Sequence, residues 1–445
     1  MKLSGKRDQI WTKLWSYDRG ENAQARFLLF FKVRMKGNVM DMSKTGFSPA
    51  DILLPAAGNY ETWAVVACDQ FTSQPEYWER VEEKVADQPS AFRLILPEAQ
   101  LSDGHTEEHI AKINQTMLDY QKDGVFTEYP DAMIYLERVQ SDGRIRCGVI
   151  GKIDLDEYDY SPDSSSLVRA TEGTVLERIP PRQAVRRNAS LELPHIMLLI
   201  DDPDNNVLGP LEKCSDVIYD FDMMEGGGHA KGYLLTEEQK LAVMKALSDL
   251  ADKSPLLFAV GDGNHSLASA KAHYEEEKAK GLPSAELSRY ALVEVVNLYD
   301  DALEFEPIHR VLFDVDPQDV IEELKACYPG TYEGEGEGHC IRFAWEQEEG
   351  FLTIPEPKAQ LEVGTLQTFL DDYLKRKGGR IDYVHGDEIT IELGKNPGCL
   401  AFLLPAMDKN DLFKSIAADG PLPRKTFSMG HAEDKRYYIE ARKIK

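Results

Sequence analysis

Cysteine is scarce in this chain and shows no pattern. Its six cysteines, Cys68, Cys147, Cys214, Cys327, Cys340 and Cys399, are scattered over 445 residues with no C-x-x-C or other zinc spacing. That argues against a zinc ribbon or a disulfide framework and for the reduced thiols of a cytoplasmic protein. Long apolar runs are lacking too. None approaches the ~20 residues of a membrane-spanning helix. The longest near the start, Phe27 to Phe31, is too short and too late for a signal peptide. Positive charge is in deficit: 51 Lys and Arg stand against 77 Asp and Glu, a net charge of −26. Nucleic acid and anionic lipid are bound by neutralising phosphates with Lys and Arg, so an acidic chain argues against both as partners.

What is present is the composition of a globular protein, 42% hydrophobic and 29% charged. Residues 1–39 depart from it. They carry nine Lys or Arg against three Asp or Glu and lack an amphipathic period. They read as a basic leader outside the fold.

From Met40 onward, strand and helix patterns alternate. Trp63 to Ala67 reads as a strand, and Ser73 with Glu76 in "SQPEYW" as a capping box for a helix to about Val85. Asp103 to Tyr120 is helical, with Ile110, Ile113 and Met117 on one face. Met133 to Glu137 and Arg146 to Ile153 read as strands paired through a turn at Ser141-Asp142-Gly143. A capping box at Thr236 to Gln239 precedes Leu241, Met244, Leu247 and Leu250 at helical spacing. Next come a strand Leu256 to Val260, a glycine turn, a helix Ser266 to Lys280 and a strand Tyr290 to Leu298. They predict a β-turn-α-β unit with parallel strands and a right-handed crossover. Past Asp314, helices Val320 to Cys327, Leu366 to Lys375 and Asp411 to Ala417 accompany a strand Leu400 to Leu404. The acidic "EGEGEG" at 333–338 reads as a solvated hairpin loop. The expected fold is mixed α/β: an α/β core over 40–314 that carries the site, and an α+β portion over 315–445.

"FAVGDGNHSLASAK", Phe258 to Lys271, holds the strongest site candidate. A helix that starts beside glycines offers amides and a dipole to an anion. Gly261 and Gly263 permit unusual backbone angles and close approach of a ligand. Asp262 can hold a metal, orient a hydroxyl or accept a proton; His265 can bind phosphate or act as acid or base. The alternative is a plain strand-to-helix joint capped by Asn264 or Ser266. Arg178, Arg182, Arg186 and Arg187 cluster in this acidic chain, and Pro181 at a helix start sets Arg182 and Arg186 on one face. They suit a carboxylate or phosphate, or else pair with surplus acids. "HIMLLIDD" ends a strand at Asp201 and Asp202, which can hold Mg²⁺ beside phosphates. In "EPIHRVLF", His309 and Arg310 are expected on a strand returning near the glycine turn. Two further stretches mimic motifs. "HTEEH" at His105 to His109 fits a zinc-protease pattern but falls in the first turn of a helix. "GGGHAKG" at Gly226 to Gly232 reads as a mobile loop or lid from which His229 and Lys231 can reach a ligand.

"WAVVACDQFTSQPEYW", "LERIPPRQAVRRNASLELPHIMLLIDD", "GDGNHSLASAK", "EPIHRVLF", "DYVHG" and "LPRKTFSMGH" follow in an order that resembles the bacterial family called domain of unknown function 1015, from about Phe47 onward. That family carries no assigned activity. Its glycine motif, often D-G-H-H-R-Y, is similar in turn to that of ParB-like proteins, which include sulfiredoxin, partition proteins and free-serine kinases. This resemblance implies a ParB-like element within the α/β core and phosphate-facing roles for Asp262, Gly263, Asn264 and His265. Here Asn264 replaces the first His, and Ser266 and Leu267 replace Arg and Tyr. The phosphate-clamping arginine is therefore lost, and Arg178 to Arg187 or Arg310 must supply the charge.

The reading that follows is a nucleotide-dependent phosphotransferase acting on a small metabolite, using ATP or ADP with Mg²⁺. The Asp262 turn would hold phosphates and Asp201 or Asp202 the metal. The rival is a non-catalytic sensor binding a small anionic metabolite on the same turn, and a third class is an interaction scaffold.

Overall fold

Runs of β-branched and aromatic residues form two large sheets, because such side chains pack best on a pleated, buried surface. The computed structural model describes residues 34–35, 38–39 and 42–445, apart from 57, 102–103, 175–178, 194–195 and 431. It divides into two compact units, Met1–Thr45 and Gly46–Lys445. In the first, Arg34–Met35 pairs antiparallel with Asn38–Val39, and Met42–Thr45 forms a 3-10 turn. The rest of the basic segment 1–39 lies outside the described residues.

The second unit contains a sheet of ten strands among the described residues. They are β1 (Phe47–Ser48), β2 (Ile134–Val139), β3 (Ile145–Asp154), β4 (Tyr158–Asp159), β5 (Val168–Ala170), β6 (Met197–Ile200), β7 (Val217–Asp222), β8 (His229–Leu234), β9 (Phe258–Asp262) and β10 (Tyr290–Asn297). Their spatial order is β7-β8-β2-β3-β10-β6-β9-β5-β4, with β1 added on β3. Helices α1 (Pro75–Val85), α2 (Thr106–Lys122), α3 (Ile179–Arg187), α4 (Glu237–Ala251) and α5 (Asn264–Ala279) accompany it. The second sheet joins β11 (Phe305–Phe313), β12 (Tyr332–Glu333), β13 (His339–Trp345), β14 (Glu348–Ile354), β15 (Arg380–His385), β16 (Cys399–Leu403) and β17 (Phe427–Met429). Its order is β12-β14-β13-β16-β11-β15, with β17 on β11. The fold is mixed α/β, as the alternating patterns predict.

Local signals place several elements. Thr236 Oγ1 accepts from Gln239 N, and Gln239 Oε1 accepts from Thr236 N, so the capping box at the start of α4 forms. The one expected at Ser73 does not. Pro75 occupies the first helical position of α1, which moves the N-cap to Gln74, with no side-chain cap. In α2, Ile113 and Met117 are buried as the apolar spacing requires. "EGEGEG" is not a hairpin loop: it joins β12 to β13 across β14, which pairs with both.

The parallel β-turn-α-β unit is also corrected. β9 and β10 are not neighbours. β6 lies between them, antiparallel to β9 and parallel to β10, so β9 and β10 run in opposite directions. The local pattern was right about the elements, but a strand from earlier in the chain takes the place beside β9.

After the second sheet the chain returns to the first. Tyr437–Tyr438 pairs with Val65–Val66, and Arg442–Lys443 pairs with Leu191–Glu192. Tyr437, Ile439 and Ile444 belong to the same apolar core as Trp63, Trp78 and Leu136.

Candidate functional site

Parallel pairing builds one end of the first sheet. β5 runs parallel to β9 with Ala170 beside Val260, so Thr171 and Glu172 emerge next to Gly261 and Asp262. Thr171 Oγ1 donates to Val260 O (2.6 Å) and accepts from Asn264 Nδ2 (3.2 Å), tying the two strand ends together. Gly263 sits at φ +81° as the N-cap of α5, a conformation open to glycine at little cost. Asp262 Oδ1 accepts from the Gly263 amide at 2.8 Å. The first-turn amides of α5 point out of the helix end beside them. Gly261 has a different reason to be glycine: a Cβ there would stand 2.8 Å from Leu199 Cγ. Asn264 Oδ1 is buried and accepts no hydrogen bond from the protein.

This corner opens into a cleft of about 650 Å³. Gly261 to Ser266 and Glu172 form its polar end, with Lys425, Ser428 and Lys435 from the last part of the chain. Arg182 and Arg186 of α3 line another wall, and Ile95, Met117 and Leu193 give it an apolar side. Burial and the nearby Asp262 carboxylate hold the Glu172 carboxyl above its ordinary range, against the opposing charges of Lys425 and Lys435. Lys435 Nζ stands 3.7 Å from Asp262 Oδ2.

The cleft thus gathers Gly261, Asp262, Gly263, Asn264, His265, Arg182 and Arg186; Arg178 lies outside the described residues. The arginines are not idle charges. Arg182 pairs with Glu98, Arg186 with Glu192, and Arg187 with Glu276 at 3.2 Å. Burial alone would raise Glu192, yet Arg442 and Arg186 hold it low.

Asp201 and Asp202 are not brought to this corner. β6 is antiparallel to β9 with Met197 opposite Asp262, so Asp201 and Asp202 lie about 13 and about 17 Å further along the sheet at ~3.3 Å per residue. Asp202 is buried and accepts from Val207 N (2.8 Å) and Asn206 Nδ2, a turn-capping role; Asp201 accepts from the Tyr299 hydroxyl. His309 and Arg310 lie on β11 of the second sheet, and neither lines the cleft, although Ile308 does. His309 Nδ1 accepts from Leu404 N, while Arg310 donates to Gln367 and to the carbonyls of Ile308 and Arg424. Both are buried, and the charge of the cleft residue Glu172 acts on Arg310.

The glycine-rich lid is corrected as well. His229 to Leu234 is β8, and Gly227 and Gly228 belong to the tight connection from β7. His229 bridges Asp222 (2.7 Å) and Asp220 (2.8 Å), and Lys231 pairs with Asp220. "HTEEH" lies at the solvated start of α2, with the His105 and Glu108 side chains 63% and 82% exposed.

Sequence reasoning missed Glu172, Lys425, Ser428, Lys435, Asp69 and His385 as cleft residues. Four of these fall inside stretches quoted for the family resemblance: Asp69 in "WAVVACDQ", His385 in "DYVHG", and Lys425 and Ser428 in "LPRKTFSMGH". Convergence of those stretches was the available signal. Glu172 and Lys435 carried none.

Among solved structures, a free serine kinase in complex with AMP covers 66% of this chain and 92% of its own, at 12% identity and TM-score 0.38. A variant of such a kinase in complex with ADP covers 68% and 93%, at 12% identity and TM-score 0.38. SbnI with a C-terminal truncation, from Staphylococcus aureus, covers 63% and 82%, at 10% identity and TM-score 0.36. No curated protein matches. The family model "Protein of unknown function (DUF1015)" matches residues 51–443, and the chain belongs to that family.

Proposed function

We propose that the protein is a nucleotide-dependent phosphotransferase acting on a small metabolite in this cleft. One observation carries the reading. A positive-φ glycine sets the start of a 16-residue helix and two carboxylates, Asp262 and Glu172, into one cleft of about 650 Å³ that Lys425 and Lys435 also line. A cavity of that size accommodates a ligand as large as a nucleotide. Phosphate oxygens sit against the first-turn amides of α5, and Asn264 and His265 border them. A metabolite hydroxyl attacks the terminal phosphorus. The bond from phosphorus to the bridging oxygen breaks with the nucleotide as leaving group, and the hydroxyl proton passes to a carboxylate. Glu172, held above the ordinary carboxylate range, is the better proton acceptor near neutral pH. Magnesium needs few protein ligands because it travels on the phosphates. Asp262 and Glu172 are the nearby carboxylates, in place of Asp201 and Asp202.

A thermal-shift screen of ATP, ADP and CTP with and without Mg²⁺, followed by turnover of the stabilising nucleotide, tests this. Glu172→Gln should keep the nucleotide-induced shift and lose turnover by at least about a hundredfold, the usual scale of a general base. Its pH dependence has a definite sign. A raised folded-state value favours the proton, so the parent loses stability relative to Glu172→Gln as pH rises through the Glu172 titration. Binding without turnover in the parent would leave a non-catalytic sensor; no stabilisation by any phosphate compound would sink both readings.

A further inference from the structure

We propose that Lys435, carried on the returning C-terminal segment, is the cation that grips the anionic group of the cleft's ligand. The inference rests on the phosphate-binding reading above and names the charge that reading requires. The arginines expected to supply it are already paired with the protein: Arg182 with Glu98 and Arg186 with Glu192, both within the cleft wall, and Arg310 with Gln367 and the carbonyls of Ile308 and Arg424. The Lys435 ammonium carries three N–H donors. One bonds Met429 O at 2.9 Å, and Asp262 Oδ2 stands at 3.7 Å, beyond hydrogen-bond reach. Donor capacity therefore remains beside the Asp262 turn, where the α5 amides emerge.

The mount under Lys435 is unusually costly. Arg138, buried, donates to the carbonyls of Lys435 (2.9 Å), Glu433 (3.0 Å) and Gly227 (2.8 Å). The Asp434 carboxylate accepts from Ser141 N (2.7 Å) and Ser141 Oγ (2.6 Å). Arg436 pairs with Glu294 and Glu440, and Glu294 stands 3.5 Å from Arg146, all four nearly free of solvent. Even Gly148 serves this cluster, since a Cβ there would stand 2.5 Å from Glu294 Oε1. Burying that many charges costs several kcal/mol per ion before pairing, far more than closing a surface turn requires. What the cluster achieves is a single position for residues 433–436. A void of about 10 Å³ lies behind Lys435, lined also by Arg146, Arg436, Asp434 and Asp262. It has room for about one water and none for a ligand, so Lys435 borders both this void and the open cleft.

Calorimetric titration of the full chain with Mg²⁺–ADP and with inorganic pyrophosphate, at low and moderate salt, tests the assignment. Lys435→Met should weaken both by about tenfold or more and flatten the salt dependence, as expected on losing a charge-assisted contact. Lys435→Arg should restore affinity to within about threefold. If Lys435→Met does not fold, Lys435→Gln, which keeps a donor for Met429 O, should show the same loss. Parent-like affinity and salt dependence in the charge-removed variant would overturn the inference and leave the phosphate reading standing. A parent that binds neither probe would overturn both.

Discussion

Two glycine-rich stretches look alike in the sequence and do opposite things. Gly226 to Gly232 and Gly261 to Gly263 each combine glycines with an acid or a histidine, and each invites a ligand-binding reading. In the first, Gly227, Gly228 and Gly232 are filled space, while Gly226 is open around its Cα at φ +78°. A Cβ on Gly228 would stand 2.0 Å from Val139 O, one on Gly227 2.4 Å from the Tyr437 ring, and one on Gly232 2.2 Å from the Tyr219 ring. In the second, Gly261 is also packed, against Leu199, but Gly263 turns the backbone at a cleft edge. Glycine alone therefore does not mark a ligand loop. What separates the two cases is whether the missing side chain makes room for the protein itself or for a helix start beside open volume.

The comparison can be broken most sharply at Gly228. Gly228→Ala forces a Cβ onto a backbone carbonyl at positive φ and should cost more than about 3 kcal/mol in urea unfolding. A near-neutral result would mean the β7–β8 connection is loose after all. Gly263→Val should cost less in stability, about 1–2 kcal/mol for left-handed backbone. It should also abolish ligand-induced stabilisation, which at a hundred times Kd amounts to about 2.7 kcal/mol. A parent-sized thermal shift in Gly263→Val would reduce the turn to a structural joint. The smallest effect belongs to His229→Ala, below about 1 kcal/mol for a partly exposed pair. Burial works against protonation of His229, but Asp222 and Asp220 outweigh it and raise its pKa. The stabilisation should be complete below the ordinary histidine value of 6.5 and fade as pH rises through the folded-state value. Ligand affinity should not change, and a drop would return His229 to the list of site residues.

Much of the site's near half was legible. An apolar strand running into Gly261-Asp262-Gly263 ahead of an alanine-containing helix specifies a strand-to-helix joint from local chemistry alone, and α5 begins there. The far half was not. Lys435 reaches Asp262 only because the chain comes back from a second sheet, and Glu172 matters only because β5 pairs with β9. Neighbour choice defeated the parallel unit for the same reason. The unbroken apolar run specifies that β9 is buried on both faces, but not whether β6 or β10 lies alongside it. Arg182 and Arg186 show the limit of composition: a basic cluster in an acidic chain can be neutralised by its own surplus of glutamates, as Glu98 and Glu192 do.

The pairing of Tyr437–Tyr438 with Val65–Val66 has a kinetic consequence. The Cys68 amide bonds the Tyr438 hydroxyl across 370 residues of chain. Closing so long a loop yields no reward until most of the intervening chain has ordered, and contacts of that separation form late and slowly. Lys435 lies within this late-arriving segment, so a partly folded molecule has the Asp262 turn without its lysine. Ligand binding should then reach full strength only at the end of refolding, and a compact but unfinished intermediate should bind phosphate about tenfold or more weakly than the finished fold.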